Sequence, residues 1–241
     1  GFSADLTVME ESAEFLNRVK NGGKLPLMTS CCPAWVKFVV DQYPDYKDNI
    51  STCRSPQGML SAVAKEWYRD PERAEGKRTV MVSFMPCTAK KMEIRKETVA
   101  PYIDSALTFE ELQAVLDSRE IDITTLEEES LENASYFGRI FAHTGGLSSA
   151  VKQGMKEQGA EDFELKPVVC DGIEECKIAL LKLRRNMLDG NFMEGMACQG
   201  GCVNGNGNLT HMAKSRMDVE KYGKEAADKT IEGAISEFHL Q

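Results

Sequence analysis

Apolar positions recur at helical spacing over residues 8–20, where Phe15, Leu16 and Val19 share one face and charges occupy the other. Leu25 to Met28 is a short apolar run that ends at Thr29-Ser30, the pattern of a strand entering a loop. Pro33 suits the first turn of a helix, and Trp35, Phe38 and Val39 continue it at helical spacing. A further helix is predicted over Pro56 to Tyr68, with Met59, Leu60, Val63 and Trp67 as its apolar side. The β-branched run Thr79 to Phe84 predicts a strand that ends at Met85-Pro86-Cys87. Thr108 and Glu111 form a capping-box pattern for a helix through about Leu116. Residues 117–137 are acidic and irregular and are expected on the surface. Ser148 to Gln158 predicts a helix after the Thr144-Gly145-Gly146 turn, Leu165 to Cys170 a strand, and Ile173 to Leu188 a helix. Phe192 to Ala197 predicts a short strand, and Met217 to Phe238 a polar amphipathic helix.

Strands alternating with helices point to an α/β architecture with mainly parallel sheet flanked by helices. No internal repeat or low-complexity segment breaks the chain, so residues 1–241 read as one domain, with a two-lobe split near 100–140 weakly marked. Three groups of cysteines fall where strands or short apolar runs end. Open α/β sheets place their ligands at those carboxyl ends.

Composition narrows the function classes. The formal net charge is −9, which argues against nucleic acid and anionic membrane surfaces as partners. No apolar run approaches the roughly 18 residues of a membrane span. The opening Gly1-Phe2-Ser3-Ala4-Asp5 has no signal-peptide pattern, so the expected compartment is the cytoplasm, and the absence of an initiator Met suggests a fragment or a processed chain.

Eight cysteines are many for such a chain, and in a reducing compartment they point to metal binding or redox chemistry rather than a disulfide framework. Five of them sit beside prolines, glycines or one another: Thr29-Ser30-Cys31-Cys32-Pro33, Met85-Pro86-Cys87-Thr88 and Met196-Ala197-Cys198-Gln199-Gly200-Gly201-Cys202. Gly200-Gly201 lets the backbone wrap closely against a bulky group. Four soft thiolates would suit a 4Fe–4S cubane. Tetrahedral zinc is the alternative, although the C-x₂-C knuckles common in zinc sites do not occur here. Plain buried thiols are the third option. The spacing alone leaves these open.

The three motifs, continued as Pro33-Ala34-Trp35 and Ala89-Lys90-Lys91, resemble the signature motifs of the iron-only ([FeFe]) hydrogenases, in that family's order. Asp5-Leu6-Thr7, Ser55-Pro56-Gln57 and Thr144-Gly145-Gly146 agree with it, so the resemblance covers nearly the whole chain. It implies two lobes of mainly parallel sheet with a metal cluster between them. It implies an H-cluster, a 4Fe–4S cubane joined through a cysteine thiolate to a two-iron subcluster carrying carbon monoxide, cyanide and an azadithiolate bridge. The implied activity is reversible interconversion of protons and electrons with molecular hydrogen. By motif matching, Cys32, Cys87, Cys198 and Cys202 would hold the cubane, with Cys202 shared with the two-iron unit. Cys31 would carry protons to the bridging amine. Lys90 would donate to a cyanide nitrogen. Met85, Pro86 and Met196 would pack around the two-iron unit, and Gln57, Ser55 and Phe141 match pocket-lining positions. The implied partners are ferredoxin or another electron-transfer protein or subunit, and hydrogenase maturation proteins.

The same resemblance implies a proton relay of two glutamates, a serine and an arginine. Glu11, Glu14 and Arg18 fall on one helix face at i, i+3 and i+7, and Ser51 matches the relay serine. The bland alternative for the first three is a solvated face with an i,i+4 ion pair. Glu10 is left out of the relay.

Several features depart from the family pattern. The family has several dozen residues ahead of Ala4-Asp5-Leu6-Thr7, including a strand and a loop that donate hydrogen bonds to the two-iron unit. The expectation is therefore an N-terminally short catalytic domain. No ferredoxin-like cysteine run is present, so electrons would enter the cubane directly. The third motif continues Val203-Asn204-Gly205-Asn206-Gly207, Ala34 replaces a commoner Gly, and the stretch from Cys170 to Phe192 is short. These features resemble smaller branches, some thought to sense hydrogen. A hydrogen- or redox-sensing module and a Narf-like iron–sulfur assembly protein are the alternative functions, and Cys31 favours catalysis over both. Cys53, Cys170 and Cys176 are expected as buried thiols, with surface oxidation the alternative for the latter two. His143, His211 and His239 are expected to be structural or solvent-exposed.

Overall fold

A computed structural model describes residues 1–129, 131 and 134–236. Helix α1 (Phe2–Asn21) ends at Gly22, whose left-handed φ of 76° closes the helix with a bond to the Arg18 carbonyl. The chain then enters strand β1 (Leu27–Met28) and helix α2 (Pro33–Gln42), which has Cys32 as its N-cap. Helix α3 (Pro56–Trp67) starts at Ser55, whose hydroxyl accepts from the Gly58 amide. Strand β2 (Val82–Met85), the short helix α4 (Lys90–Glu93), strand β3 (Ser105–Thr108) and helix α5 (Phe109–Ser118) follow. The capping box at Thr108 and Glu111 is formed in both directions. Helices α6 (Tyr136–Ile140) and α7 (Gly146–Glu157) lead to strand β4 (Pro167–Asp171), helix α8 (Ile173–Arg184) and strand β5 (Phe192–Met196). Helices α9 (Ser215–Lys224) and α10 (Ile231–Ser236) complete the described chain.

The strands form two parallel sheets, one ordered β1-β5-β4 and the other β2-β3. The first sheet takes β1 from near the start of the chain and β4 and β5 from its second half. The second comes from between them, so a cut near 100 or 140 would not separate the two. Phe15, Trp35, Leu147, Leu180, Phe192 and Met193 are fully buried around the first sheet. Phe15 meets Phe192 edge to face at 6.0 Å between ring centroids.

Several elements differ from the sequence pattern. Helix α1 begins at Phe2 rather than residue 8, because Asp5 is buried where it accepts hydrogen bonds from the Ser135 amide and hydroxyl at 2.9 and 2.5 Å. Helix α3 turns the side opposite to the expected one inward. Gln57, Gly58, Ser61 and Ala62 are buried, whereas Leu60 is 43% and Trp67 40% exposed. Small residues on this face let α3 pack closely against α1. Strand β3 and helix α6 fall where no element was expected, α6 starting at the end of the acidic segment 117–137 and running on to Ile140. The predicted tail helix is two helices with a break at 225–230, and its end at Phe238 lies outside the described residues, as does His239. No described helix is long and apolar enough to cross a membrane.

Candidate metal centre

The carboxyl ends of β1, β2 and β5 carry the three cysteine motifs towards one another. After β1, the Thr29 hydroxyl accepts from the Gly195 amide at 3.2 Å, and the Thr29 carbonyl accepts from the Trp35 indole N–H at 3.1 Å. Trp35 lies against β5, where a Cβ at Gly195 would collide with its ring. These contacts fix the loop that bears Cys31 and Cys32. After β5, Gly200 and Gly201 adopt φ of 79° and 84°, turning the chain so that Cys198 and Cys202 come to the same wall.

A cavity of about 170 Å³ lies between the two sheets, and Cys31, Cys32, Cys87, Cys198 and Cys202 all line it. Met85, Pro86, Met196 and Phe141 supply apolar walls, and Gln57 and Lys90 the polar ones. All eight cysteines are unpaired. Among the described residues, no three His, Cys, Asp or Glu side chains converge as a site for a single ion. Thiols ringing a void, rather than meeting at a point, fit a multi-atom cluster. Ser55 does not line this cavity. It caps α3 and borders a neighbouring cleft of about 610 Å³ instead.

Lys90 is 7% exposed and its ammonium donates to the Cys31 carbonyl at 2.9 Å and to Glu93 Oε2 at 2.7 Å. An ammonium has three donors, so one remains for the cavity. Burial pulls this ammonium's pKa down, but the Glu93 carboxylate outweighs it and holds the pKa above its ordinary value. Gln57 donates to the same Glu93 oxygen at 3.1 Å and accepts from Ser83 Oγ at 2.7 Å. Burial, followed by the charge of Glu11, pushes the Cys31 thiol well up. Burial raises the Cys202 thiol to about 12. Iron coordination would have to supply the driving force for Cys202 to lose its proton.

On the Cys31 side lies a file of acids. Glu11 is 1% exposed, and neither carboxyl oxygen has a well-directed hydrogen-bond donor. Burial raises its pKa to about 8, opposed by Ser51 and the Ser30 backbone. Ser51 Oγ donates to Glu14 Oε2 at 2.7 Å, and the Thr52 amide donates to both Glu14 oxygens. Arg18 pairs with Glu14 Oε1 at 2.6 Å and donates to the carbonyls of Lys24, Asp48, Asn49 and Ile50. The i,i+4 ion pair exists, but with side chains only 11% and 15% exposed it is not a solvated face. Glu14 and Ser51 border the 610 Å³ cleft, as does Glu10.

Two acids around the site, Glu93 and Glu194, carry no role in the sequence reading. Glu93 lies three positions after Lys90 on α4, a spacing that could have been read. Glu194, an acid inside the apolar strand β5, is fully buried and accepts from the Gly145 amide, the Ser148 amide and Ser148 Oγ at 2.7, 2.8 and 2.6 Å. His143 is buried with Nε2 2.9 Å from Glu220 Oε1, a long-range partner that no local pattern signals. His211 Nε2 lies 3.0 Å from the Gly205 carbonyl. Cys170 and Cys176 are 2% and 0% exposed, which removes the surface alternative for them. Cys53 is half-buried, with its Sγ 3.6 Å from the Thr7 carbonyl.

A family model described as the iron only hydrogenase large subunit, C-terminal domain, matches residues 1–206. The chain is 32% identical over 255 residues to iron hydrogenase 1 of Clostridium pasteurianum, covering 91% of this chain and 44% of that protein. It is 35% identical over 241 residues to the periplasmic [Fe] hydrogenase large subunit of Nitratidesulfovibrio vulgaris, covering 86% of this chain and 57% of that one. The chain thus spans about half the length of these curated relatives. A solved structure of an [FeFe]-hydrogenase from Chlamydomonas reinhardtii superposes with a TM-score of 0.73 at 24% identity, covering 99% of this chain and 77% of that one, and shares the fold.

Proposed function

The chain belongs to the iron-only hydrogenase large-subunit family, and from that premise we propose that it holds an H-cluster and interconverts protons and electrons with molecular hydrogen. The carrying observation is a set of five thiols around one largely apolar cavity, with a buried ammonium on its wall. Four of these thiols, on Cys32, Cys87, Cys198 and Cys202, would hold a 4Fe–4S cubane. Cys202, Lys90, Met85, Met196, Pro86, Gln57 and Phe141 would hold a two-iron subcluster bearing carbon monoxide, cyanide and azadithiolate. When bound, that group supplies the site at which protons are reduced and hydrogen is split.

The chain's own residues hold and move the protons. Cys31 keeps its proton in the buried state and is a thiol donor on the cavity wall. Glu11 is neutral below about pH 8 and can re-protonate Cys31. Ser51 and Glu14 extend the file to the cleft, with Arg18 holding Glu14 in position. Met85, Met196 and Phe141 keep water from the cavity. Ser55 acts as the α3 cap rather than as a wall. Electrons would come from ferredoxin or another electron-transfer protein or subunit. Maturation proteins would supply the two-iron unit, and the expected setting is the cytoplasm.

The test is anaerobic reconstitution of the cubane, loading with a synthetic two-iron complex, and hydrogen evolution from reduced methyl viologen. Carbon monoxide and cyanide infrared bands together with hydrogen support the reading. Bands without turnover favour a sensing module. A cubane that never yields those bands favours an iron–sulfur role without the two-iron unit, of the assembly-protein kind.

A further inference from the structure

We propose that Asp171 is the positioning residue of the Cys198–Cys202 loop, clamping it to the 142–144 segment and setting a fixed negative charge beside it. The inference rests on the cubane reading of the four cysteines. Asp171 is the last residue of β4, a strand that carries none of the four thiols assigned to the cubane. A single oxygen, Oδ1, accepts from the Gly200 amide at 2.6 Å and from Thr144 Oγ1 at 2.7 Å. The Thr144 amide in turn donates to the Gly200 carbonyl at 3.2 Å. Asp171, Thr144 and Gly200 therefore close a small ring of hydrogen bonds over the turn between the two cysteines.

The surroundings explain why a clamp is needed there. Gly200 and Gly201 both have left-handed φ, so this turn is permissive by composition. His143 and Gly201 form an isolated antiparallel bridge, and the Val203 amide donates to the Ala142 carbonyl at 3.2 Å. These backbone contacts sit on one side of the turn. Asp171 adds a side-chain tie, from a carboxylate on β4, that joins the turn at Gly200 to the same segment at Thr144. Hydrogen bonds to a carboxylate are the stronger kind. The Asp171 amide donates to Glu175 Oε2 at 2.9 Å, and the Gly172 amide donates to the Met196 carbonyl at 2.9 Å, so the clamp is anchored to α8 and β5. Its negative charge opposes adding an electron to a cluster held by the loop, and net charge is one of the determinants of cluster potential.

Two substitutions separate geometry from charge. Asp171→Asn keeps an oxygen that can accept both bonds and removes the charge. Asp171→Ala removes both. Wild type and variants are reconstituted anaerobically with iron and sulfide, without the two-iron unit. Iron release to a chelator, the electron paramagnetic resonance spectrum of the reduced cluster and its midpoint potential are then measured. Asp171→Ala is expected to release iron about tenfold faster, the scale of losing a group that orients a metal's ligands, with a broadened spectrum. Asp171→Asn is expected to release iron at close to the wild-type rate, but with a more positive potential. Thr144→Val, which leaves Asp171 in place, is expected to fall between wild type and Asp171→Ala in iron release. Wild-type iron release and spectrum in Asp171→Ala, or an unmoved potential in Asp171→Asn, overturn the proposal. A shift in thermal stability alone does the same. A wild-type chain that takes up no cluster overturns the cubane reading, and the clamp falls with it.

Discussion

The ammonium of Lys90 and the carboxylate of Glu93 lie 2.7 Å apart, one turn from each other on α4, with side chains only 9% and 4% exposed. A buried pair is costly to break because the remaining charge has nowhere to go. Glu93→Ala is therefore expected to destabilise the chain by about 3–5 kcal/mol. Urea denaturation at neutral pH measures this. Lys90→Met with Glu93→Leu removes both charges and should recover most of the loss. If the single Glu93→Ala variant unfolds at the wild-type urea midpoint, the pair is not holding Lys90 at the cavity.

Cys31 and Cys202 line the same cavity but have different expected roles. Cys31→Ala should leave the carbon monoxide and cyanide bands intact and lower hydrogen evolution by roughly 10²-fold or more, the scale of losing a positioned proton donor. Cys202→Ala should instead release the two-iron unit and abolish those bands. Infrared spectra taken beside the turnover assay separate the two. Unchanged turnover in Cys31→Ala removes it from the proton path.

The Gly201 backbone leaves no room for a side chain. A Cβ there would meet the Ala142 carbonyl oxygen and the Thr144 amide nitrogen at 2.7 Å each, and its φ of 84° already disfavours L residues. Gly201→Ala is expected to cost at least about 1–3 kcal/mol from the backbone conformation alone. The strain falls on the loop bearing Cys198 and Cys202, so iron bound per chain after reconstitution should drop as well. Gly22→Ala is the control. It shares a left-handed φ of 76°, but a Cβ there meets nothing within 4 Å, so stability should fall without loss of iron.

Much of this site was legible in the sequence because its signals are local. Prolines, glycines and cysteines cluster at strand ends, where the backbone must turn, and the Thr108–Glu111 capping box closes as its spacing predicts. What was not legible depends on distant partners. The inward side of α3 is small and polar because α1 packs closely against it, so Leu60 and Trp67, on the apolar side that helical spacing points to as core, are exposed instead. Asp5 is buried because Ser135, far along the chain, satisfies its carboxylate. Glu194 and Asp171 look like ordinary acids until the 142–148 segment brings amide and hydroxyl donors to them. Ser55 matched a motif, but its hydroxyl serves the start of α3.

If Glu11 serves the proposed relay, proton delivery and stability share one titration. Its carboxyl is raised from 4.5 to about 8, chiefly by burial. A carboxyl whose folded pKa lies above its unfolded value binds its proton more tightly in the folded chain. Its contribution to stability is complete below about pH 4.5 and is lost as the pH rises through about 8. The wild-type urea midpoint should therefore fall across that window more steeply than that of Glu11→Gln, which has no proton to lose. Over the same range Glu11 changes from donor to buried anion, so hydrogen evolution should decline above about pH 8. Glu11→Gln should be slower by about 10²-fold or more below about pH 8 and should lack that decline, while its infrared bands match the wild type. Parallel pH profiles of turnover in the two proteins would remove Glu11 from the relay.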